Sequence, residues 1–144
     1  MKVGFTGTRD ALADAQMIAL VDWIAANPMG EFHHGACLGA DATAALQVKA
    51  KYGRQVQVIA HPGHLPHLTS QPAIAVSQVT YSPENTLRRN RRIVDVCDLL
   101  LACPKGPEEQ RSGTWSTIRY ARKVGRRVTI IWPDGSVTRD SATE

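Results

Sequence analysis

Short apolar runs and helix-spaced apolar positions alternate along the chain. Lys2-Val3-Gly4-Phe5 reads as a buried strand that breaks at Thr6-Gly7-Thr8-Arg9-Asp10. Ala11, Ala15, Ile18 and Ala25 then recur at helical spacing, and Pro28 and Gly30 end that element. Glu31-Phe32-His33-His34 is a second short strand, with Gly35-Ala36-Cys37-Leu38-Gly39-Ala40-Asp41 as its turn. An Ala-rich helix follows from about Ala42 to Tyr52, closed by Gly53. Val56, Val58 and Ile59 mark a third strand within Gln55 to Ala60.

From His61 to Pro83 the pattern is lost. Pro62, Pro66, Pro72 and Pro83 punctuate a stretch of scattered His and Ser, read as a long connection with little regular structure. Connections of that length inside a compact domain are usually functional or mobile, and this one is placed to wall or cover a site. Glu84 to about Cys97 is the next helix, Leu99 to Cys103 an apolar central strand, and Pro104 to Arg111 a polar loop. Trp115, Ile118, Ala121 and Val124 give the following helix a core-facing stripe that Gly125 ends. Val128 to Trp132 is a fifth strand, and the Pro133-Asp134-Gly135-Ser136 turn folds Val137-Thr138 back as an edge strand. The tail 135–144 is expected to be partly frayed. Strands alternating with helices predict an α/β domain built on a mostly parallel five-stranded sheet.

Composition adds limits rather than detail. The 144 residues suit a single domain, 1–144, and shares of 43% hydrophobic and 21% charged residues exclude wholesale disorder. A net charge of +4 favours anionic partners, nucleic acid and phosphorylated metabolites alike. Cys37, Cys97 and Cys103 form an odd set with no Cys-x-x-Cys spacing, so reduced thiols are expected. With neither a signal segment nor a bilayer-length apolar run, the chain reads as soluble and cytoplasmic, with no membrane partner.

In an open parallel sheet the loops after the carboxyl ends of the strands share one edge, and ligands bind there. Three such turns are rich in Gly and Thr: Thr6-Gly7-Thr8-Arg9, Gly35 through Asp41, and Ser112-Gly113-Thr114. Glycine admits close approach of a ligand, and amides at a helix start donate to phosphate oxygens. Neither the dinucleotide fingerprint nor the Gly-Lys-Ser/Thr of a P-loop is present, which disfavours nicotinamide and NTPase chemistry. Asn90, Ile93, Val94 and Cys97 share one helix face, so Asn90 extends a buried stripe toward the ligand edge. Arg89, at the margin of that face, is the best candidate for a ligand-facing guanidinium, whereas Arg91 has Asp95 at i+4 as a surface partner. Asp41 suits either N-capping or a ribose hydroxyl and base role. His61, His64 and His67 have the residue type of metal ligands, but the intervening prolines deny them a shared helix face, and no metal is expected.

These motifs together resemble the SLOG superfamily, which joins Smf/DprA DNA-processing proteins with the LOG phosphoribohydrolases. Arg89-Asn90-Arg91-Arg92-Ile93-Val94 with Cys97-Asp98-Leu99-Leu100-Leu101 looks like the Arg-Asn-Arg-Ile-Ile helix and strand of the DprA branch. Ser112-Gly113-Thr114 with Thr117-Ile118-Arg119-Tyr120-Ala121 looks like that branch's Ser-Gly-[Ser/Thr]-x-x-Thr-Ala segment. Gly7-Thr8-Arg9 and His34-Gly35-Ala36-x-x-Gly39-Ala40-Asp41 look more like small stand-alone members. The resemblance implies a Rossmann-like three-layer α/β/α fold, often dimeric, with a nucleotide- or nucleic-acid-binding edge; no cofactor is expected. It carries ligand contact over to Gly7, Thr8, Arg9, Gly35, Gly39, Asp41, Arg89, Asn90, Arg91, Ser112, Gly113 and Thr114.

One departure bears on activity. The phosphoribohydrolases carry Pro-Gly-Gly-x-Gly-Thr-x-x-Glu, and Thr117 stands where that Glu would act at the glycosidic bond. Cleavage through an oxocarbenium-like transition state needs a placed carboxylate, for which Asp41, Glu108 or Glu109 would have to substitute. The first expectation is therefore binding or sensing of a nucleotide or nucleotide-derived phosphorylated ligand. Hydrolysis of a nucleotide N-glycoside stands second, and single-stranded nucleic-acid binding third.

Overall fold

The structure, a computed structural model, describes residues 1–140. Five parallel strands lie in the order expected of consecutive crossovers: β1 (Lys2–Gly7), β2 (Glu31–His34), β3 (Gln57–Ala60), β5 (Leu99–Cys103) and β6 (Arg127–Ile131). Two short edge strands extend the sheet to seven, β4 (Val79–Thr80) parallel to β3 and β7 (Val137–Arg139) antiparallel to β6. The order is β4-β3-β2-β1-β5-β6-β7. The chain winds outward from β1 in one direction, then returns to β1's other side at β5. That reversal opens a crevice above the carboxyl ends of β1 and β5.

Helices α1 (Asp14–Ala26), α2 (Ala40–Tyr52) and α3 (Gln71–Ala75) cover one face, and α4 (Thr86–Val96) and α5 (Gly113–Lys123) cover the other. The layers are those of a Rossmann-like α/β/α fold. Every residue of β5 is buried, because strands flank it on both sides and helices lie above and below. The first core packs Phe5 and Phe32 against Leu20, Trp23 and Ile24 of α1 and Val48 of α2. The second packs Leu100, Val128 and Ile130 against Val94, Trp115 and Ile118.

Five sequence expectations are corrected. The sheet has seven strands rather than five with one edge strand, since β4 lies in the stretch read as irregular. That stretch also holds a helical turn at Pro66–Leu68 and α3, and in both a proline stands in the first turn, where its missing N–H costs nothing. Elements of two to five residues carry no legible period. In α1 the buried stripe is Gln16, Leu20, Trp23 and Ile24, while Ile18 is 64% exposed. The larger side chains take the core, and a polar Gln at the head of their row hides it from a hydrophobic pattern. Of the tail, residues 135–140 form the β6–β7 turn and edge strand, and Asp140 accepts from Arg122 at 2.6 Å. Residues 141–144 lie outside the described residues. Val124, expected in the α5 stripe, is exposed at the helix end.

Gln16 has a specific task. Its Nε2 donates to the carbonyls of Pro104 (2.9 Å) and Ile131 (2.8 Å), tying α1 to the ends of β5 and β6. Gln16→Leu leaves both buried carbonyls without a donor and should lower the urea-derived stability by about 2 kcal/mol. Ile18→Gln should change it by less than about 0.5 kcal/mol. The opposite ranking would return α1 to the phase read from its alanines.

Candidate functional site

A cleft of about 380 Å³ lies above the β1–β5 reversal. It gathers ten of the twelve expected residues: Gly7, Thr8, Arg9, Gly35, Asp41, Arg89, Asn90, Ser112, Gly113 and Thr114. Gly39 lies behind it, and Arg91 lines a separate groove between α4 and α5 with Tyr120 and Lys123. Arg91 stacks over the Tyr120 ring at 5.2 Å, and Asp95, its expected partner, accepts from the Tyr120 hydroxyl at 2.7 Å.

One half of the cleft is committed to holding the protein together. Arg89 is 3% exposed and its Nη1 donates to the carbonyls of Gly35 (2.6 Å) and His61 (3.1 Å). Its Nε donates to Asn90 Oδ1 at 2.7 Å, and its Nη2 meets Cys37 Sγ at 3.5 Å. The guanidinium expected to face the ligand instead ties α4 to the ends of β2 and β3. Removing it would strand two buried carbonyls, at about 1–3 kcal/mol each. Asp41 does not cap its own helix. Its Oδ2 accepts the amides of Gly35 (3.0 Å) and Cys37 (3.1 Å), closing the turn after β2. Burial raises the Asp41 pKa, and the nearby Arg89 together with these amides opposes the shift.

The glycines of this half answer to the protein itself. A Cβ on Gly7 would stand 2.5 Å from that of Ala40, and one on Gly35 would stand 2.6 Å from Arg89 Nη1. Gly39 adopts φ +84° against the Arg9 carbonyl, where the Ala40 amide donates to Thr8 O at 2.9 Å. Cys37 is held in the same turn, and burial pushes its thiol up to about 11, which favours the protonated form.

The other half is open. Ser112 caps α5 by accepting the Trp115 amide at 3.2 Å, and no protein acceptor meets the amides of Gly113 and Thr114 among the described residues. A Cβ on Gly113 would meet nothing within 4 Å. Arg9 and Arg111 are exposed at the rim and have no partner among the described residues, while Lys105 faces Asp10 at 3.8 Å. Arg119 braces the loop before α5 by donating to Glu108 (3.1 Å) and to the carbonyls of Glu109 and Gln110 (both 3.2 Å). Trp115 Nε1 donates to Gly106 O in the same loop. Sequence reasoning missed Arg111, Lys105, Thr86 and Asp10 as lining residues, while Glu109, named as a substitute carboxylate, does line the cleft. Arg111 precedes the Ser112 cap directly, which was the available signal.

Thr117 is buried outside the cleft, and its hydroxyl donates to Gly113 O at 2.9 Å. Among the described residues no group of three or more His, Cys, Asp or Glu is placed to hold a metal ion. His61 stacks between His33 and Tyr81, whereas His64 and His67 are exposed. No helix among the described residues is long and apolar enough to cross a membrane.

No family model matches the sequence, and no curated protein matches it either. Solved structures do. The molybdenum cofactor binding protein of the phototrophic bacterium Rippkaea orientalis superposes with TM-score 0.67 at 18% identity, over 92% of this chain and 77% of that one. DNA processing protein A (DprA) of Streptococcus pneumoniae gives 0.66 at 20%, over 90% of this chain and 49% of that one, so this chain spans about half its length. The structural-genomics target TM1055 gives 0.63 at 15%, over 89% and 72%. The chain has their fold. These neighbours are consistent with the SLOG resemblance of the motifs, and at such identities the likeness is one of fold.

Along β2, Glu31 accepts from His33 (2.7 Å) and His33 meets His61 at 2.8 Å, with His61 Nδ1 buried and without a partner among the described residues. His34 Nδ1 accepts the Ala36 amide at 3.0 Å, and its Nε2 faces Ser77 Oγ at 2.9 Å. Burial depresses all three histidines, His34 to about 3 and His61 to about 4, with Glu31 partly offsetting the shift at His33. The unfolded chain therefore binds more protons below the ordinary value of 6.5, and stability is lost as pH falls through that window. Asp41, raised, contributes the opposite slope above 3.8. Urea unfolding should show stability falling between pH 6.5 and 5, by up to about 1.4 kcal/mol per pH unit for each histidine involved. His34→Gln should reduce that slope by about one proton. A flat or reversed profile would mean that these imidazoles protonate freely in the folded state.

Proposed function

We propose that the cleft binds a phosphorylated, nucleotide-like ligand, with the phosphate at the start of α5 and the remainder reaching toward Asn90 and Asp41. The observation that carries this reading is the open half of the cleft. The Gly113 and Thr114 amides, Arg9 and Arg111 converge there without protein partners among the described residues. Helix-start amides with guanidinium groups are a matched donor set for a phosphate. The volume, about 380 Å³, lies within the range of small-molecule sites. The Rippkaea orientalis neighbour is by name a binding protein on this fold, which supports binding over turnover.

Asp41 keeps hydrolysis of a nucleotide N-glycoside as the second reading. It is a cleft carboxyl whose pKa burial raises, as suits an acid–base group. Its Oδ2 is tied to two amides, however, and the position that resembles the hydrolytic Glu holds a buried Thr117 whose hydroxyl bonds its own helix.

Thermal-shift and calorimetric titrations with adenosine monophosphate, adenosine and inorganic phosphate test the proposal. Adenosine monophosphate should raise the melting temperature by a few degrees and adenosine should not. Arg111→Ala and Arg9→Ala should each weaken binding about tenfold, roughly 1.4 kcal/mol, while the unliganded melting temperature stays within about 1 °C. Equal shifts by adenosine, or full affinity in both arginine variants, would overturn the reading. Free adenine accumulating in the same mixtures, and vanishing with Asp41→Asn, would move the second reading to first place.

A further inference from the structure

We infer that Arg89 is a positioning residue that locks the Asn90 amide as a donor into the cleft, so that the site selects a phosphorylated ligand carrying a second hydrogen-bond acceptor. The inference rests on the proposed phosphate site and adds what the far end of that site reads.

Its basis is donor chemistry. An Asn side chain is free to turn either its oxygen or its NH₂ toward a neighbour, and only the bonding network decides which. Arg89 Nε carries one hydrogen and accepts nothing, so the atom 2.7 Å from it is the Asn90 oxygen. The guanidinium is itself held. Its Nη1 donates to Gly35 O at 2.6 Å and His61 O at 3.1 Å, and it packs 2.6 Å from where a Cβ of Gly35 would stand. With Oδ1 engaged, Asn90 presents its Nδ2 hydrogens elsewhere, and no protein acceptor meets them among the described residues. Asn90 is half-buried where the cleft meets the α4–α5 groove, lining both, and it shares the cleft wall with Thr86, Gly113 and Thr114. A donor fixed at that place rewards a carbonyl oxygen, a hydroxyl oxygen or an unprotonated ring nitrogen, which are the acceptors of a nucleoside. A bare phosphate at the start of α5 does not use it.

The same geometry separates this role from a merely structural one. If Asn90 served only to satisfy Arg89, an Asp would do so better, through a charge-assisted bond to the same Nε. Asn90→Asp and Asn90→Ala are therefore compared by calorimetry and NMR titration with adenosine monophosphate and with inorganic phosphate. Asn90→Asp should melt at or above the unaltered protein yet bind adenosine monophosphate at least about tenfold more weakly. Asn90→Ala should also lose about tenfold toward adenosine monophosphate while keeping its affinity for inorganic phosphate within about twofold. Full adenosine monophosphate affinity in Asn90→Asp would overturn the inference alone. Parallel losses toward both probes in Asn90→Ala would overturn it too, by placing Asn90 at the phosphate. Failure of the unaltered protein to bind either probe would overturn this inference together with the phosphate reading.

Discussion

The buried guanidinium of Arg89 is the constraint on which the site depends. It reaches from α4 across the carboxyl ends of β2 and β3, and its two backbone acceptors belong to chain segments far apart in sequence. Gly35 lacks a side chain because that guanidinium occupies the space, and Asn90 is oriented by it. Asp41 closes the turn whose first carbonyl Arg89 takes, and half-buried Cys37 touches both, its amide donating to Asp41 and its Sγ meeting Arg89 Nη2. A charge this deep is tolerated because oxygens surround it, and removing it would leave those oxygens unpaired.

The consequence is a cleft with two kinds of wall. Around the end of β2 the polar groups of Asp41 and Arg89 are turned inward, and the glycines there and at the end of β1 are set by close packing, with Arg9 alone reaching out to the open side. Residues around the start of α5 have theirs turned outward: a capped helix with open first amides, a loop braced from behind by Arg119 and Trp115, and Arg111 at its end. Rigid framing on one side and unsatisfied donors on the other is the arrangement expected of a preformed anion site.

Much of this was legible in the residues, and the exceptions have physical reasons. The five parallel strands, the long helices and the convergence of the turns followed from periodicity and from Gly/Thr placement. The edge strand β4 and helix α3 did not, because two to five residues show no period and prolines read as breakers rather than as helix openers. The α1 stripe was misplaced because Gln16, a polar residue, heads the buried row. Arg89 stands out in the sequence and lines the cleft, but its backbone partners are not legible there: sequence spacing tells which face a side chain leaves from, and not whether a carbonyl from another strand waits there. Gly7, Gly35 and Gly39 were read as ligand approaches for the same reason, since a glycine made necessary by a neighbouring side chain looks identical in sequence to one made necessary by a ligand. Arg111 went unweighed because an arginine in a polar loop carries no periodic signal.

The central claim is a division of labour: Arg89 serves the fold, and the start of α5 meets the ligand. Heteronuclear NMR resolves both partners at once, through the backbone amides of Gly113 and Thr114 and the side-chain Nε–H of Arg89. On addition of adenosine monophosphate the account predicts the largest shifts at the Gly113 and Thr114 amides, with the Arg89 Nε–H resonance remaining protected from exchange and nearly unmoved. A dominant shift at Arg89 Nε–H, with Gly113 and Thr114 unchanged, would contradict it.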